Sequence, residues 1–187
     1  MTSPPFPCHT GPIGKPVPLI AGGTVPGDRP DQSTCPPDRS CHIKKEADRV
    51  MQLKQCVLEL ETTTREALCD ITEQVRSKVE QSGIKNGVVS IYAQGATAAI
   101  MIQEGWDESV QNDVVTLLRK LIPHGIWEHD RQDGNADAHL KAGLVGPSET
   151  VPLIDGRLGL STWQNIFFCE FDGPRKRRRV VVTIIGS

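Results

Sequence analysis

Apolar and polar positions fall into two rhythms along the chain, and each predicts its own elements. In QCVLELETTT (residues 55–64) they alternate, with Leu58 and Leu60 on one face and Val57, Glu59 and Glu61 on the other. That is the period of a half-buried strand. CDITEQVRSKVEQSG (69–83) changes the period: Ile71, Val75 and Val79 recur every four residues, Asp70 or Thr72 can cap the start, and Gly83 stands just past the end. Strands follow at NGVVSIYAQ (86–94) and TAAIMIQE (97–104), with a Gly-Ala pair between them. The strongest helical pattern is DESVQNDVVTLLRKLIP (107–123). Asp107 is its N-cap, Val110, Val114, Leu117, Leu118 and Leu121 form one core-facing stripe, and Pro123 ends it. TVPLIDGRLGL (150–160) is a hairpin turning at Asp155-Gly156. TWQNIFFCEF (162–171) is apolar on both faces, which places it mid-sheet. DGPRKRRR (172–179) reads as a solvated turn and VVVTIIG (180–186) as the closing strand; upstream, IKKEADRVMQLKQC (43–56) reads as a short helix. The order predicts an α+β domain, a mostly antiparallel sheet with helices on one side.

Composition marks off the N-terminus. Ten of the fourteen prolines lie in residues 1–40, so that stretch cannot bury enough apolar surface to offset chain entropy. Residues 1–43 are expected to be a disordered, Pro-rich extension, and residues 44–187 the folded domain. The net charge of −2 argues against a protein built to neutralise phosphate backbones. The basic run from Arg175 to Arg179 has no interleaved aromatics for base stacking, so a nucleic-acid partner is not expected. No stretch is long and apolar enough for a membrane span, and PVPLIAGG is too short and too proline-broken for a signal-peptide core. Cys8, Cys35, Cys41, Cys56, Cys69 and Cys169 are irregularly spaced, unlike a disulfide framework. Cys8-His9 and Cys41-His42 match no common zinc spacing. Reduced thiols and a cytoplasmic location are the expectation.

NADAHLKAGLVGPS (135–148) and GRLGLSTWQNIFFCEFDGPRKRR (156–178), extended upstream through DITEQVRSKVEQSGIKNGVVSIYAQGATAAIMIQEGWDESVQND (70–113), carry a resemblance to a known family. The chain resembles the YjbQ family, also called the secondary thiamine-phosphate synthase family, over roughly residues 57–186. The resemblance implies an α+β fold of two sheets, sandwich-like, assembled as a homotrimer. It also implies a metal site at or near the subunit interface and a weak thiamine-phosphate synthase activity. In one place the chain departs from the pattern. Many family members have a histidine and two hydroxyl residues where this chain has Gly95-Ala96-Thr97. If that histidine is a metal ligand, this chain retains His129 and His139 from the set.

Neutral imidazole suits zinc and its neighbours. His129 and His139 are ten residues apart and converge only if the segment between them folds back, which a turn at Asp133-Gly134 permits. A divalent metal, zinc or magnesium, would take His129, His139 and a third ligand from Asp137, Glu128 or a neighbouring subunit. Two nearby histidines are also common as surface residues, and Asp137 doubles as a helix cap before AHLKAGL. The start of that helix is a second candidate, an anion site with His139 and Lys141 close by. A phosphorylated small molecule would sit there, with His139, His129 and Lys141 as the candidate catalytic groups. Asn135 shapes the loop, Thr97 lines the space left by Gly95, and Ser148 caps the loop after Pro147; these three are the candidate ligand-binding residues. Trp163 is expected in the core. A non-catalytic metal- or ligand-binding homotrimer and a metal-dependent hydrolase are the alternatives.

Overall fold

The computed structural model describes residues 50–187. The expected 1–43 extension, with Cys8, Cys35 and Cys41, therefore lies outside the described residues. The elements in chain order are strands β1 (Gln52–Thr62) and β2 (Ala67–Asp70), helix α1 (Thr72–Ser82), strands β3 (Gly87–Ala93) and β4 (Ala98–Glu104), and helix α2 (Glu108–Leu121). A 3-10 turn (Glu128–Arg131), helix α3 (Ala136–Val145) and strands β5 (Ser148–Ile154), β6 (Arg157–Leu158), β7 (Gln164–Glu170) and β8 (Arg175–Gly186) complete the chain. All strand pairs are antiparallel, in two sheets: a five-stranded one ordered β1-β8-β3-β5-β6 and a three-stranded one ordered β2-β7-β4. No helix among the described residues is long and apolar enough to cross a membrane.

The alternation read in the sequence sets the layers. Leu58, Val89, Ile91, Val151, Leu153, Val180, Val182 and Ile184 point inward from the large sheet. They meet Ala98, Ile100, Ile166 and Phe168 from the small sheet, with Val75 and Val79 of α1 packed into the same core. The alternate residues of β7, Phe167 and Cys169, face the other way with Phe171, onto Leu118 of α2 and Ala138 and Ala142 of α3. β7 is thus buried on both faces, as its unbroken apolar run predicts. Each such phenylalanine contributes about 2–3 kcal/mol by leaving water. α2 and α3 cover one side of the small sheet, whereas α1 belongs to the core between the sheets.

Caps and turns fall where the residues place them. The Asp107 carboxylate accepts from the Ser109 amide at 2.8 Å at the start of α2. Asp70 accepts from the Thr72 amide at 2.9 Å at the start of α1. Asp155 and Gly156 both have positive φ, 50° and 78°, the turn that suits a two-residue hairpin.

Four expectations need correction. Residues 52–56 continue β1 instead of ending a helix, because the twelve-residue β8 offers partners as far as Gln52↔Gly186; the remainder of that helix falls largely outside the described residues. β2 was not read from the sequence, and its last two residues, Cys69 and Asp70, fall in the expected helix 69–83. It exists because β7 has a free edge for Ala67–Asp70 to pair with. The basic run is strand, not turn: Arg178 lies opposite Leu60 and Arg179 opposite Glu59. The α2 stripe is narrower than its sequence, with Leu118 buried but Leu117 and Leu121 exposed, and Trp163 stands exposed, edge-on to exposed Trp106.

A buried polar knot joins the sheets. Glu170 of β7 has no exposed surface, and its carboxylate accepts from Thr62 Oγ1 (2.9 Å) and from Arg178 Nε (2.7 Å) and Nη2. Arg178 Nη2 also donates to Thr97 Oγ1 at 2.9 Å. The substitution Glu170→Leu leaves the Arg178 guanidinium buried and unpaired. It is expected to cost about 3–5 kcal/mol, measured by urea unfolding followed by circular dichroism.

Candidate functional site

α3 is a sorting device for the candidate residues. Its small residues Ala138 and Ala142, four apart, face the small sheet and let the helix backbone approach it. Asp137 and Lys141 are also four apart and meet side by side, with Asp137 Oδ2 2.7 Å from Lys141 Nζ. Asp137 and His139 are two apart, which at 3.6 residues per turn sends them to different sides of the helix.

On the His139 side, the loop folds back as the Asp133-Gly134 turn signal suggests, and Asp130 is what folds it. Its carboxylate accepts from the Trp127 amide (2.9 Å) and from the Ala136 amide (3.1 Å), bracketing the 3-10 turn against the start of α3. The turn carries His129 to His139, with ring centroids 5.2 Å apart and planes at 84°. His129 Nε2 lies 3.5 Å from Asp133 Oδ2. The two imidazoles line an open cleft of about 430 Å³ with Trp127, Glu128, Ala136 and Leu140. His139 lines a second opening of about 380 Å³ with Gly95, Tyr92, Ala98, Ala142 and Pro147.

The other side of α3 holds an ion-pair network. Lys141 is 1% exposed, and its ammonium is shared by Asp137 and by Glu66 Oε1 at 2.5 Å. Arg65 and His124 approach Asp137 Oδ1 at 3.0 and 3.1 Å, and Arg119 pairs with Glu66. Burial alone would raise the Glu66 carboxyl. Hydrogen bonds from Lys141 and Arg119, and their charges, outweigh it and hold the group below its usual range. Asp137 likewise loses to burial but gains more from its bonds to Lys141 and His124 and from the charges of Lys141 and Arg65, and it too is lowered.

The candidate residues therefore separate. His129 and His139 come together, with Glu128 on the same cleft. Asp137 and Lys141 are turned away from them and satisfied by each other and by Glu66. The first amide of α3, at the position where an anion was expected, already donates to Asp130. Asn135 donates from Nδ2 to Asp172 Oδ2 at 3.1 Å, while its Oδ1 is buried without a partner among the described residues. Thr97 is buried against Arg178, and Ser148 opens β5 opposite Tyr92; neither lines the histidine cleft. Cys56, Cys69 and Cys169 are free. Burial raises all three thiols, Cys169 to about 12, so none is a ready nucleophile.

One grouping was not read from the sequence. His124, Asp130 and Asp137 bring ligand atoms within 4.8 Å of one another, a possible His/Asp metal-binding group. His124 follows the helix-ending Pro123 and has no spacing relation to Asp137, so no linear signal marks it. The charges around this group disfavour a cation. Asp137 already faces Arg65 and Lys141, and both oxygens of Asp130 accept backbone amides. The imidazole pair carries no such competing cations among its contacts.

The family model for UPF0047 protein YjbQ-like matches residues 56–187. The chain belongs to the YjbQ family. It is 46% identical over 129 residues to a UPF0047 protein of Methanocaldococcus jannaschii, covering 69% of this chain and 92% of the relative. It is 42% identical over 123 residues to the UPF0047 protein YugU of Bacillus subtilis, covering 64% and 91%. The crystal structure of a YbjQ-like protein of unknown function from Sulfolobus solfataricus superposes with a TM-score of 0.72 at 38% identity, over 74% of this chain and 100% of that one. The two-sheet α+β architecture is thus a YjbQ-family fold.

The lowered Glu66 and Asp137 carboxyls fix the sign of the pH dependence. Their contribution to stability is complete above their unfolded values near pH ~4 and is lost as the pH falls through their lower folded values. Urea midpoints are expected to drop as the pH falls below about 4; Lys141→Met should be less stable at neutral pH but show a smaller acid drop, because carboxyls without the bond that lowers them lose less on protonation.

Proposed function

We propose that this YjbQ-family protein binds a divalent metal, zinc or magnesium, through His129 and His139, and that the cleft beside them receives a phosphorylated small molecule. The proposed reaction is thiamine-phosphate synthase-like transfer, in a cytoplasmic homotrimer. The observation that carries the reading is the convergence of two imidazoles, ten residues apart in sequence, at 5.2 Å on an open cleft. The donor set suits such a metal. Asp133 beside His129 supplies the carboxylate that commonly orients a ligating ring. Glu128 or a neighbouring subunit completes the ligands.

In that chemistry the bond from the pyrimidine methylene to pyrophosphate breaks and a bond to the thiazole nitrogen forms. A bound divalent cation supplies neutralisation of the departing pyrophosphate. The chain's own contribution is positioning: Trp127 and Leu140 wall the cleft with apolar surface, and the imidazoles fix the polar end. Support for the homotrimer lies on the face of the large sheet that no element among the described residues covers. Leu53, Ile185, Val88 and Pro152 form one cross-strand row and Val57, Val181 and Tyr92 another, with Leu53 64% and Tyr92 46% exposed. A monomer rarely leaves such a face open.

A non-catalytic metal-binding homotrimer is the second reading. It is favoured by the pairing of Asp137 and Lys141 with each other and Glu66, which leaves the cleft few groups to move protons. A metal-dependent hydrolase would need a complete three-ligand site within reach of a water.

Metal analysis of untagged protein by mass spectrometry is expected to find near-stoichiometric metal in the wild type and loss in both His129→Ala and His139→Ala. Full metal in both variants would sink the site. Rescue of a thiamine auxotroph separates the enzyme from the binding protein, and a phosphatase and esterase screen tests hydrolysis. By light scattering the wild type should weigh three chains and Val57→Glu fewer.

A further inference from the structure

We propose that Arg178 and the turn at Gly95, Ala96 and Thr97 form a phosphoryl-binding subsite at the opening that His139 shares with Gly95. It rests on the reading that the His139 cleft takes a ligand, but not on the metal.

Arg178 is held as a preorganised fork. Its Nε and Nη2 are both on buried Glu170, and Nη2 also reaches Thr97, while its side chain is 11% exposed. An arginine carries five N–H donors. The two on Nη1 have no partner among the described residues, so part of a fixed guanidinium remains available for recognition. Glu170 offsets the charge from behind but leaves this edge free.

The direction of that edge is set by the glycine. A Cβ built on Gly95 would stand 3.1 Å from Arg178 Nη1 and 3.7 Å from Ala98 Cβ. Gly95 has no left-handed φ, so its backbone does not require glycine. What glycine supplies here is the absence of a Cβ that would crowd Nη1, just behind the part of the opening's wall formed by Gly95 and Ala96, which Arg178 itself does not line. In the turn that follows, the Ala96 and Thr97 amides donate to no backbone acceptor among the described residues. Free amides next to a guanidinium edge are the composition of an oxyanion nest. Gly95 lines the opening with His139, and His139 lines the neighbouring cleft with His129. A ligand with its phosphoryl group at the Gly95 turn can therefore lay its remaining body past Tyr92 and Ala142 toward the imidazole pair.

The test is calorimetric titration of the full chain with inorganic pyrophosphate and with orthophosphate, in chelator so that metal plays no part. The wild type should bind at least one of the two. Gly95→Val, which crowds Nη1, and Arg178→Lys, which keeps a charge for Glu170 but removes the Nη1 donors, should each weaken binding by roughly tenfold or more. Arg157→Ala, away from the opening, should leave it nearly unchanged, and Gly95→Val should keep the wild-type metal content. A wild type that binds neither anion, or two folded variants that bind as the wild type does, would overturn the subsite. Anion binding by a wild type that carries no metal as purified, before any chelator is added, would remove the metal reading alone.

Discussion

Groups from three parts of the chain converge on the buried Glu170 carboxylate. Thr62 comes from β1, Arg178 from β8, the Asp172 amide from the turn after β7, and Thr97 follows through Arg178. β1 and β8 belong to the large sheet and β7 to the small one. A buried carboxylate tolerates no loss of partners, so the relative placement of the sheets near this point is fixed by the geometry of one fork. The turn at Gly95 inherits that rigidity, because it joins β3 of one sheet to β4 of the other and is tethered at Thr97. The opening beside His139 is therefore held by the core, not by a loop free to adjust.

α3 shows how one short helix keeps two chemistries apart. Residues four apart share a side, so Asp137 and Lys141 satisfy each other at the Glu66 end. His139 is displaced by half a turn and faces the loop that brings His129. The small residues between them leave no bulk to separate the helix from the sheet. Asp130, bridging the Trp127 and Ala136 amides, ties the turn that carries His129 to the start of the helix that carries His139.

Most elements were legible in the pattern of side chains, since strands buried on one face and amphipathic helices both write their period into the sequence. Val57 and Leu58 were assigned to opposite faces, Asp107 to a cap and the 162–171 run to a sheet centre on local grounds alone, and the structure agrees. The misreadings share a cause. β2, the extension of β1 through Gln52 and the strand character of the arginine run each depend on a distant partner strand, which periodicity does not encode. Leu117 and Trp163 were assigned to the core because they are large and apolar, yet chain geometry leaves them in water. For the site, the His129 and His139 pair was readable because a turn signal lay between them. The Arg65, Glu66 and His124 side of α3 was not, since Arg65 and Glu66 lie some seventy residues upstream of Asp137 and carry no motif of their own.

The placement of the tryptophans has a spectroscopic corollary. The chain has three, and none is in either core: Trp106 is 81% exposed, Trp163 56%, and Trp127 is partly exposed on the histidine cleft with Nε1 bonded to the Pro123 carbonyl. Indoles already in contact with water change their emission little when the chain unfolds. Intrinsic fluorescence is thus a poor gauge of the fold in this protein, while Trp127, standing alone at the cleft, is a built-in optical sensor of what enters it.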